Sequence, residues 1–193
     1  MEKERLRRKI RRIRSGMEDS EKKILDDAIF GKVINLEEVK GAKVVATYVS
    51  KKEEVDTHML IEKLIGEGKK VIVPFVERDG LMFSEIKGLE ELEIGSFGVL
   101  EPKVKRKYDV YSADVIIVPG VVFDKNGYRI GYGGGYFDKV LKKFEGKKIG
   151  IAYDFQVVDK VPREKHYVPV DILVTEKSVR RCYLLRKNQI YFY

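Results

Sequence analysis

The sequence predicts an α/β fold, a single domain in which a largely parallel central sheet is flanked by helices on both faces. Short, wholly apolar segments such as Val71-Ile72-Val73 and Val115-Ile116-Ile117-Val118 have the character of strands covered on both sides. They alternate with segments whose apolar residues recur at helical spacing. A length of 193 residues with 44% hydrophobic content supplies one substantial core. No internal repeat, low-complexity tract or linker rich in Pro, Gly or Ser divides residues 1–193.

The elements follow in order. Leu6, Ile10, Ile13 and Met17 form one stripe of an opening amphipathic helix whose other faces are basic. A second helix starts near Asp19-Ser20 and carries Ile24, Leu25, Ala28 and Ile29 inward. Lys43 to Val49 is a Val-rich strand, and Thr57 caps the helix bearing Leu60, Ile61, Leu64 and Ile65, which Gly66 and Gly68 stop. The next strand, Val71 to Pro74, is cut short by its proline. Val115 to Val118, Lys148 to Ala152 and Ile172 to Thr175 supply further strands, and Phe137, Val140, Leu141 and Phe144 mark the helix between the first two. In a parallel sheet the ligand lies beyond the carboxyl ends of the strands, so the loops after Val49, Val73, Val118 and Ala152 are where chemistry is expected.

Residues 1–14 hold eight Lys or Arg against Glu2 and Glu4, so six of the net +8 charges sit on the first helix. That concentration points to a local anion site or a polyanion-binding arm rather than a whole surface adapted to nucleic acid. With Cys182 as the sole cysteine, an internal disulfide and a thiolate zinc cluster are both excluded. His58 and His166 are read as surface or capping residues. The absence of an apolar run of spanning length leads us to expect a soluble, cytoplasmic protein without membrane partners.

The most informative stretch runs from Gly120 to Lys139. Asn126-Gly127 is a turn signal between two short apolar segments. Four of the five residues from Gly131 to Gly135 are glycine, directly before a helix. Such a loop can turn several backbone N–H groups toward one point, where the helix terminus adds positive field and Arg129 adds a fork of donors. A bare glycine run is equally well a flexible turn; Arg129, Asp138 and the helix shift the reading toward a phosphate seat. The pattern is neither a P-loop, since no Lys-Ser or Lys-Thr follows, nor a dinucleotide fingerprint. Taken by themselves, the residues describe a phosphate-binding α/β enzyme.

Pro119-Gly120, Phe123-Asp124, Gly127, Arg129-Ile130-Gly131 and Gly135-Tyr136-Phe137-Asp138 together resemble the signature of the 5-formyltetrahydrofolate cyclo-ligase family. Lys3-Glu4-Arg5-Leu6-Arg7, Tyr48-Val49-Ser50, Glu54-Val55-Asp56-Thr57, Glu101-Pro102 and Gln156 match further family positions in order, so the resemblance covers about residues 3–176. It implies ATP as cosubstrate, Mg2+ as metal and 5-formyltetrahydrofolate as substrate. Lys3, Arg7, Arg129, Ile130, Gly131, Tyr132, Gly133, Gly134, Gly135, Tyr136 and Phe137 would bind the nucleotide, with Arg129 catalytic. Val49, Glu54 and the Tyr132 to Tyr136 segment would hold the folate, Glu54 accepting hydrogen bonds from the pterin N–H edge. Asp138 would hold the metal.

Two departures stand out. The family commonly has an Asp after the His or Asn of a late loop, a second metal contact; here His166 is followed by Tyr167, leaving either Asp138 with the phosphates or Asp138 with Asp171. Phe137 replaces the signature's second Tyr, which suggests a packing role. Residues 180–193 lie outside the resemblance and are expected to add an edge strand. A monomer is expected. An RNA-binding protein gripping phosphates through its basic helix is the rival of another class, disfavoured because no base-stacking motif is present. A non-folate kinase or acyl-phosphate enzyme is the nearer competitor, and the resemblance alone names the folate.

Overall fold

The computed structural model describes residues 2–78, 80–95, 98–162 and 167–183. Five helices and thirteen strands occur in them: α1 (Glu2–Ser15), α2 (Asp19–Ile34), α3 (Glu37–Gly41), β1 (Val44–Thr47), α4 (His58–Gly66), β2 (Lys70–Glu77), β3 (Gly80–Ile86), β4 (Leu92–Ile94), β5 (Leu100–Pro102), β6 (Lys107–Tyr108), β7 (Val115–Val118), β8 (Val122–Asp124), β9 (Arg129–Ile130), α5 (Tyr136–Leu141), β10 (Lys147–Ile151), β11 (Val157–Val158), β12 (Ile172–Val174) and β13 (Val179–Arg181). The main sheet has the order β13-β12-β10-β7-β1-β2-β3-β6. Its centre, β12-β10-β7-β1-β2, is parallel, and β13 and β3 join it antiparallel.

Each central strand is apolar throughout because it has two dry faces, and its side chains alternate between them. Val45, Val71, Val73, Val115, Ile117, Ile149, Ile151, Ile172 and Val174 face a core closed by Ile29 and Val33 of α2, Val39 of α3 and Leu60, Ile61 and Leu64 of α4. Ala46, Ile72, Ile116, Val118 and Leu173 face the other way, against Val140 and Leu141 of α5 and Phe144 beyond it. The chain runs outward from β1 to β2, then crosses back to β7 and continues to β10 and β12. The strand order therefore reverses between β1 and β7, and a crevice opens beyond their carboxyl ends.

A second, three-stranded sheet, β11-β8-β9, lies over the β7 and β10 end. Its hairpin turns at Asn126-Gly127, where buried Asp124 accepts hydrogen bonds from the backbone N–H groups of Asn126, Tyr128 and Val161. Opposed residues of an antiparallel pair share a face. The pair Val122 and Ile130 thus turns toward α1, packing on Ile10, while the pair Phe123 and Arg129 turns toward the main sheet. Phe123 fills the space left by two glycines: a Cβ at Gly150 would stand 2.7 Å from its ring, and one at Gly120 2.5 Å. Gln156 adds a polar tie, its Nε2 donating to the carbonyls of Gly120 and Val121.

Some expected details differ. On α1 the inward stripe is Lys3, Leu6, Arg7, Ile10 and Arg14, with Met17 just past its end; Ile13 is 39% exposed and Arg14 only 7%. On α2, Ile24 is 69% exposed, while Asp26 points inward and accepts from the Tyr153 hydroxyl and the Asp56 N–H. That helix is preceded by Glu18, without a side-chain cap. Thr57 precedes α4 but its Oγ1 donates to the Tyr48 carbonyl and accepts from Ser50 N–H, stapling the loop after β1. Pro74 does not end β2. Pairing with β1 stops at Ala46 and Ile72, so the proline's missing donor falls where β2 has a partner on one side only, and the strand continues beside β3. β13 supplies the expected edge strand as far as Arg181; residues 184–193 lie outside the described residues.

Because the Phe123 ring occupies the Gly150 space, Gly150→Ala is expected to lower unfolding stability by about 1–3 kcal/mol through overpacking. Equilibrium denaturation of both proteins checks it, and equal midpoints would remove the wedge from the account of the fold.

Candidate active site

The crevice at the reversal point is a cleft of about 780 Å³. Its walls come from four places: the loop after β1 with Tyr48, Val49, Lys51 and Glu54; the β2–β3 hairpin with Pro74, Phe75, Val76 and Leu81; the segment from Gly131 to Lys139 with Lys142; and Arg7 of α1. Pro119, Glu101, Arg129 and Tyr167 complete it. Of the four places expected to carry chemistry, the loop after β1, the residues after Val73, which continue β2, and the segment after β7 reach the wall. The one after β10 works from behind, where the Tyr153 hydroxyl donates to Asp26 at 2.7 Å and stands 3.3 Å from the Glu54 carbonyl. Five cations (Arg7, Lys51, Arg129, Lys139, Lys142) outnumber three carboxylates (Glu54, Glu101, Asp138) on the wall, so the cleft favours an anion.

Arg129 dominates this electrostatic picture. Strand alternation aims it from β9 into the interior, where it is 4% exposed. Its Nη2 lies 3.2 Å from Asp138 Oδ1, an ion pair without hydrogen-bond alignment, and among the described residues neither Nε nor Nη2 has a hydrogen-bond partner. Burial pulls the guanidinium pKa down, with Asp138 opposing it. Unfilled donors on a buried cation cost on the order of 1–3 kcal/mol each unless something accepts from them, and a ligand anion in the cleft is such an acceptor.

The glycine loop gives that anion its space. Gly133 has φ +114° and Gly135 φ +67°, conformations that side chains resist. At Gly131 the constraint is contact: a Cβ would approach Arg129 Nη1 to 3.3 Å, and its carbonyl accepts from Arg7 Nε at 2.8 Å. The following helix α5 has six residues, shorter than the helix expected to run on to Phe144. Phe137 packs edge-on against Phe83 and touches both cores, a packing role.

On the opposite wall Glu54 is buried and held through both oxygens: Oε1 accepts from the Tyr132 hydroxyl at 2.5 Å and Oε2 from Lys51 N–H at 2.8 Å. Burial, and next the Glu54 charge, raise the Tyr132 phenol well above its ordinary range, so it remains a donor. Asp56 fixes the same loop by accepting from His58 N–H and sharing a 2.7 Å hydrogen bond with the His58 ring. Burial works against the Asp56 carboxylate, but these bonds outweigh it and hold its pKa at about 2.

A sequence profile described as the 5-formyltetrahydrofolate cyclo-ligase family matches residues 1–176. A 5-formyltetrahydrofolate cyclo-ligase of Haemophilus influenzae is 32% identical over 88% of this chain and 95% of its own length. The chain belongs to the 5-formyltetrahydrofolate cyclo-ligase family. The Escherichia coli (strain K12) cyclo-ligase is 35% identical over 72% of this chain and 80% of its own. Among solved structures, a 5,10-methenyltetrahydrofolate synthetase from Aquifex aeolicus is 39% identical and superposes with a TM-score of 0.86, covering 94% of this chain and 93% of that one. Another from Mycoplasma pneumoniae is 27% identical, with a TM-score of 0.75 over 91% and 99%. Members of this family are ligases that use ATP to convert 5-formyltetrahydrofolate to 5,10-methenyltetrahydrofolate.

Set against the cyclo-ligase signature, the candidate residues divide. Arg7, Val49, Glu54, Arg129, Gly131 through Phe137 and Asp138 all stand on the cleft wall. Lys3 does not; its Nζ donates to the Tyr167 hydroxyl at 2.7 Å, and Tyr167 is the wall residue. Ile130 packs toward α1 and contributes no side chain. Asp171 is a correction: it sits at the amino edge of β12, accepts from Lys148 N–H at 3.0 Å and lies at the end of the parallel strands opposite the cleft, so it cannot share a metal with Asp138. His166 lies outside the described residues. Sequence reading assigned no role to Arg14, Tyr48 or Tyr167. For Arg14 a signal existed, since it follows Arg7 by seven residues and so shares its helix face.

Asp56→Asn tests the loop staple. A carboxylate held at about pKa 2, against 3.8 in the free residue, stabilises the folded state fully above about pH 4. The wild-type advantage over Asp56→Asn is therefore expected to hold from neutrality to about pH 4 and to vanish as pH falls to about 2. Denaturation at a series of pH values measures this; a difference that does not depend on pH contradicts the assignment.

Proposed function

We propose that this cleft carries out the cyclo-ligase reaction with the triphosphate on the Arg129 side and the pterin on the Glu54 side. The observation that carries the proposal is the pair of unpartnered donors on buried Arg129, within a wall of excess positive charge. A polyanion supplies the missing acceptors.

In the reaction the formyl oxygen attacks the γ-phosphorus, and the bond from phosphorus to the bridging oxygen breaks, releasing ADP. The oxygen thereby becomes part of a leaving group. N10 then adds to the activated formyl carbon and loses its proton, the carbon–oxygen bond breaks, and phosphate departs with the electron pair to leave the methenyl bridge between N5 and N10. Little covalent chemistry falls to the protein, so its work is positioning and charge stabilisation. Arg129, itself almost sealed from solvent, donates to the transferring phosphoryl oxygens as charge shifts among them. Arg7 fixes the start of the glycine loop through the Gly131 carbonyl and adds a second positive charge. Glu54 accepts from the pterin N–H edge, and Val49 and Tyr136 offer apolar surface to the rings.

Magnesium fits the residues present. Asp138 offers a partly exposed carboxylate beside Arg129, and no cluster of three or more His, Cys, Asp or Glu is found among the described residues. One protein carboxylate plus phosphate oxygens and water is a common arrangement for this ion, which when bound neutralises charge on the triphosphate.

Purified protein supplied with ATP, magnesium and 5-formyltetrahydrofolate is expected to generate the near-ultraviolet absorbance of the methenyl product. Arg129→Ala is expected to lower kcat by about a hundredfold or more, the usual consequence of removing a donor to developing charge. Folded wild-type protein that yields no absorbance refutes the proposed reaction; unaltered kinetics in the variant would refute the role of Arg129.

A further inference from the structure

Arg14 lies two helical turns beyond Arg7 and is as buried as a core residue, yet it is absent from the cleft wall. The helix buries this arginine while exposing its apolar neighbour Ile13, the reverse of ordinary preference. Its Nε has no hydrogen-bond partner, so the burial is costly as well. What the guanidinium does obtain among the described residues is one hydrogen bond, Nη2 donating to the Tyr132 hydroxyl at 2.8 Å, and a place 5.7 Å from the centre of the same ring; that hydroxyl donates to Glu54 Oε1 at 2.5 Å.

The direction of this chain is fixed by chemistry. A guanidinium can only donate, so the Tyr132 oxygen must accept from Arg14, and its single hydrogen is left for Glu54. Lys51 N–H takes the other carboxylate oxygen. Glu54 is thereby held at both oxygens, each with remaining acceptor capacity toward the cleft, the arrangement that two adjacent N–H donors of a heterocycle require. Without Arg14 the Tyr132 hydroxyl, on a ring 43% exposed in a glycine loop, would keep one hydrogen bond among the described residues, to Glu54, with Arg11 over the ring face.

We infer that Arg14 is a positioning residue for the folate: acting through the Tyr132 hydroxyl, it orients the Glu54 carboxylate toward the pterin N–H edge. The inference rests on the cyclo-ligase reading of the cleft. It also makes α1 a two-point brace, Arg7 setting the phosphate end of the loop and Arg14 the pterin end.

Steady-state kinetics of wild type, Arg14→Met, Tyr132→Phe and the double variant test it, with thermal unfolding as a check on folding. Each single change is expected to raise KM for 5-formyltetrahydrofolate about tenfold and to leave KM for ATP within about twofold, as loss of one hydrogen bond to a charged group would. The double variant should be no worse than the poorer single one, because both changes cut the same link. The inference is overturned by Tyr132→Phe with an unchanged folate KM, by effects that multiply in the double variant, or by an ATP KM that rises in step. The Tyr132→Phe result stands even if Arg14→Met does not fold, since it removes one hydroxyl from a half-exposed ring. An inactive wild type would strike the cyclo-ligase reading itself, whereas an active wild type with flat KM values strikes only the role of Arg14.

Discussion

A guanidinium sealed inside the protein with two of its nitrogens lacking acceptors is the constraint around which the cleft is organised. Its position is set from the main sheet outward. Gly150 and Gly120 leave room for Phe123, Phe123 presses β8 against the main sheet, and pairing of β8 with β9 places Arg129 opposite Phe123 on the same face. The ring and the cation are neighbours by register. A slip of one residue would exchange Arg129 for Ile130, turning the apolar side chain into the cleft and the charge into the contact with α1.

The opening helix has an equally physical explanation. A basic amphipathic helix would ordinarily bury its apolar stripe and leave the arginines in water. On α1 the buried stripe mixes both kinds: Leu6 and Ile10 pack on the small sheet, while Lys3, Arg7 and Arg14 reach Tyr167, the Gly131 carbonyl and Tyr132 respectively. The helix is therefore part of the cleft's framework, and three of its eight basic residues are turned to inward contacts. The other five, Arg5, Arg8, Lys9, Arg11 and Arg12, remain exposed.

Much of the fold was legible in the sequence because a parallel sheet with two covered faces requires continuous apolar strands, and Val115 to Val118 or Val71 to Val73 permit few other readings. The antiparallel additions were not. β3 contains Ser84, fully buried and donating to the Val104 carbonyl, so its sequence lacks an apolar alternation that would announce it. The glycine loop with Arg129 was visible as local chemistry, but the folate came from the matched family pattern alone. Phe123, Asp124 and Gln156, parts of that same pattern, turn out to build the platform beneath the cleft. Arg14 escaped notice because helical periodicity assigns inward positions by apolarity, and Ile13 offered the better apolar candidate. Asp171 was suggested by proximity in sequence to a missing family residue, whereas strand polarity places it at the far end of the sheet.

A structure of the protein with ATP and magnesium bound tests the central claim most directly. The account predicts a γ-phosphate oxygen within about 2.7–3.1 Å of Arg129 Nε or Nη2, with the glycine loop against the phosphates and Glu54 left facing open cleft. A triphosphate seated elsewhere, with those two nitrogens still lacking an acceptor, would contradict it.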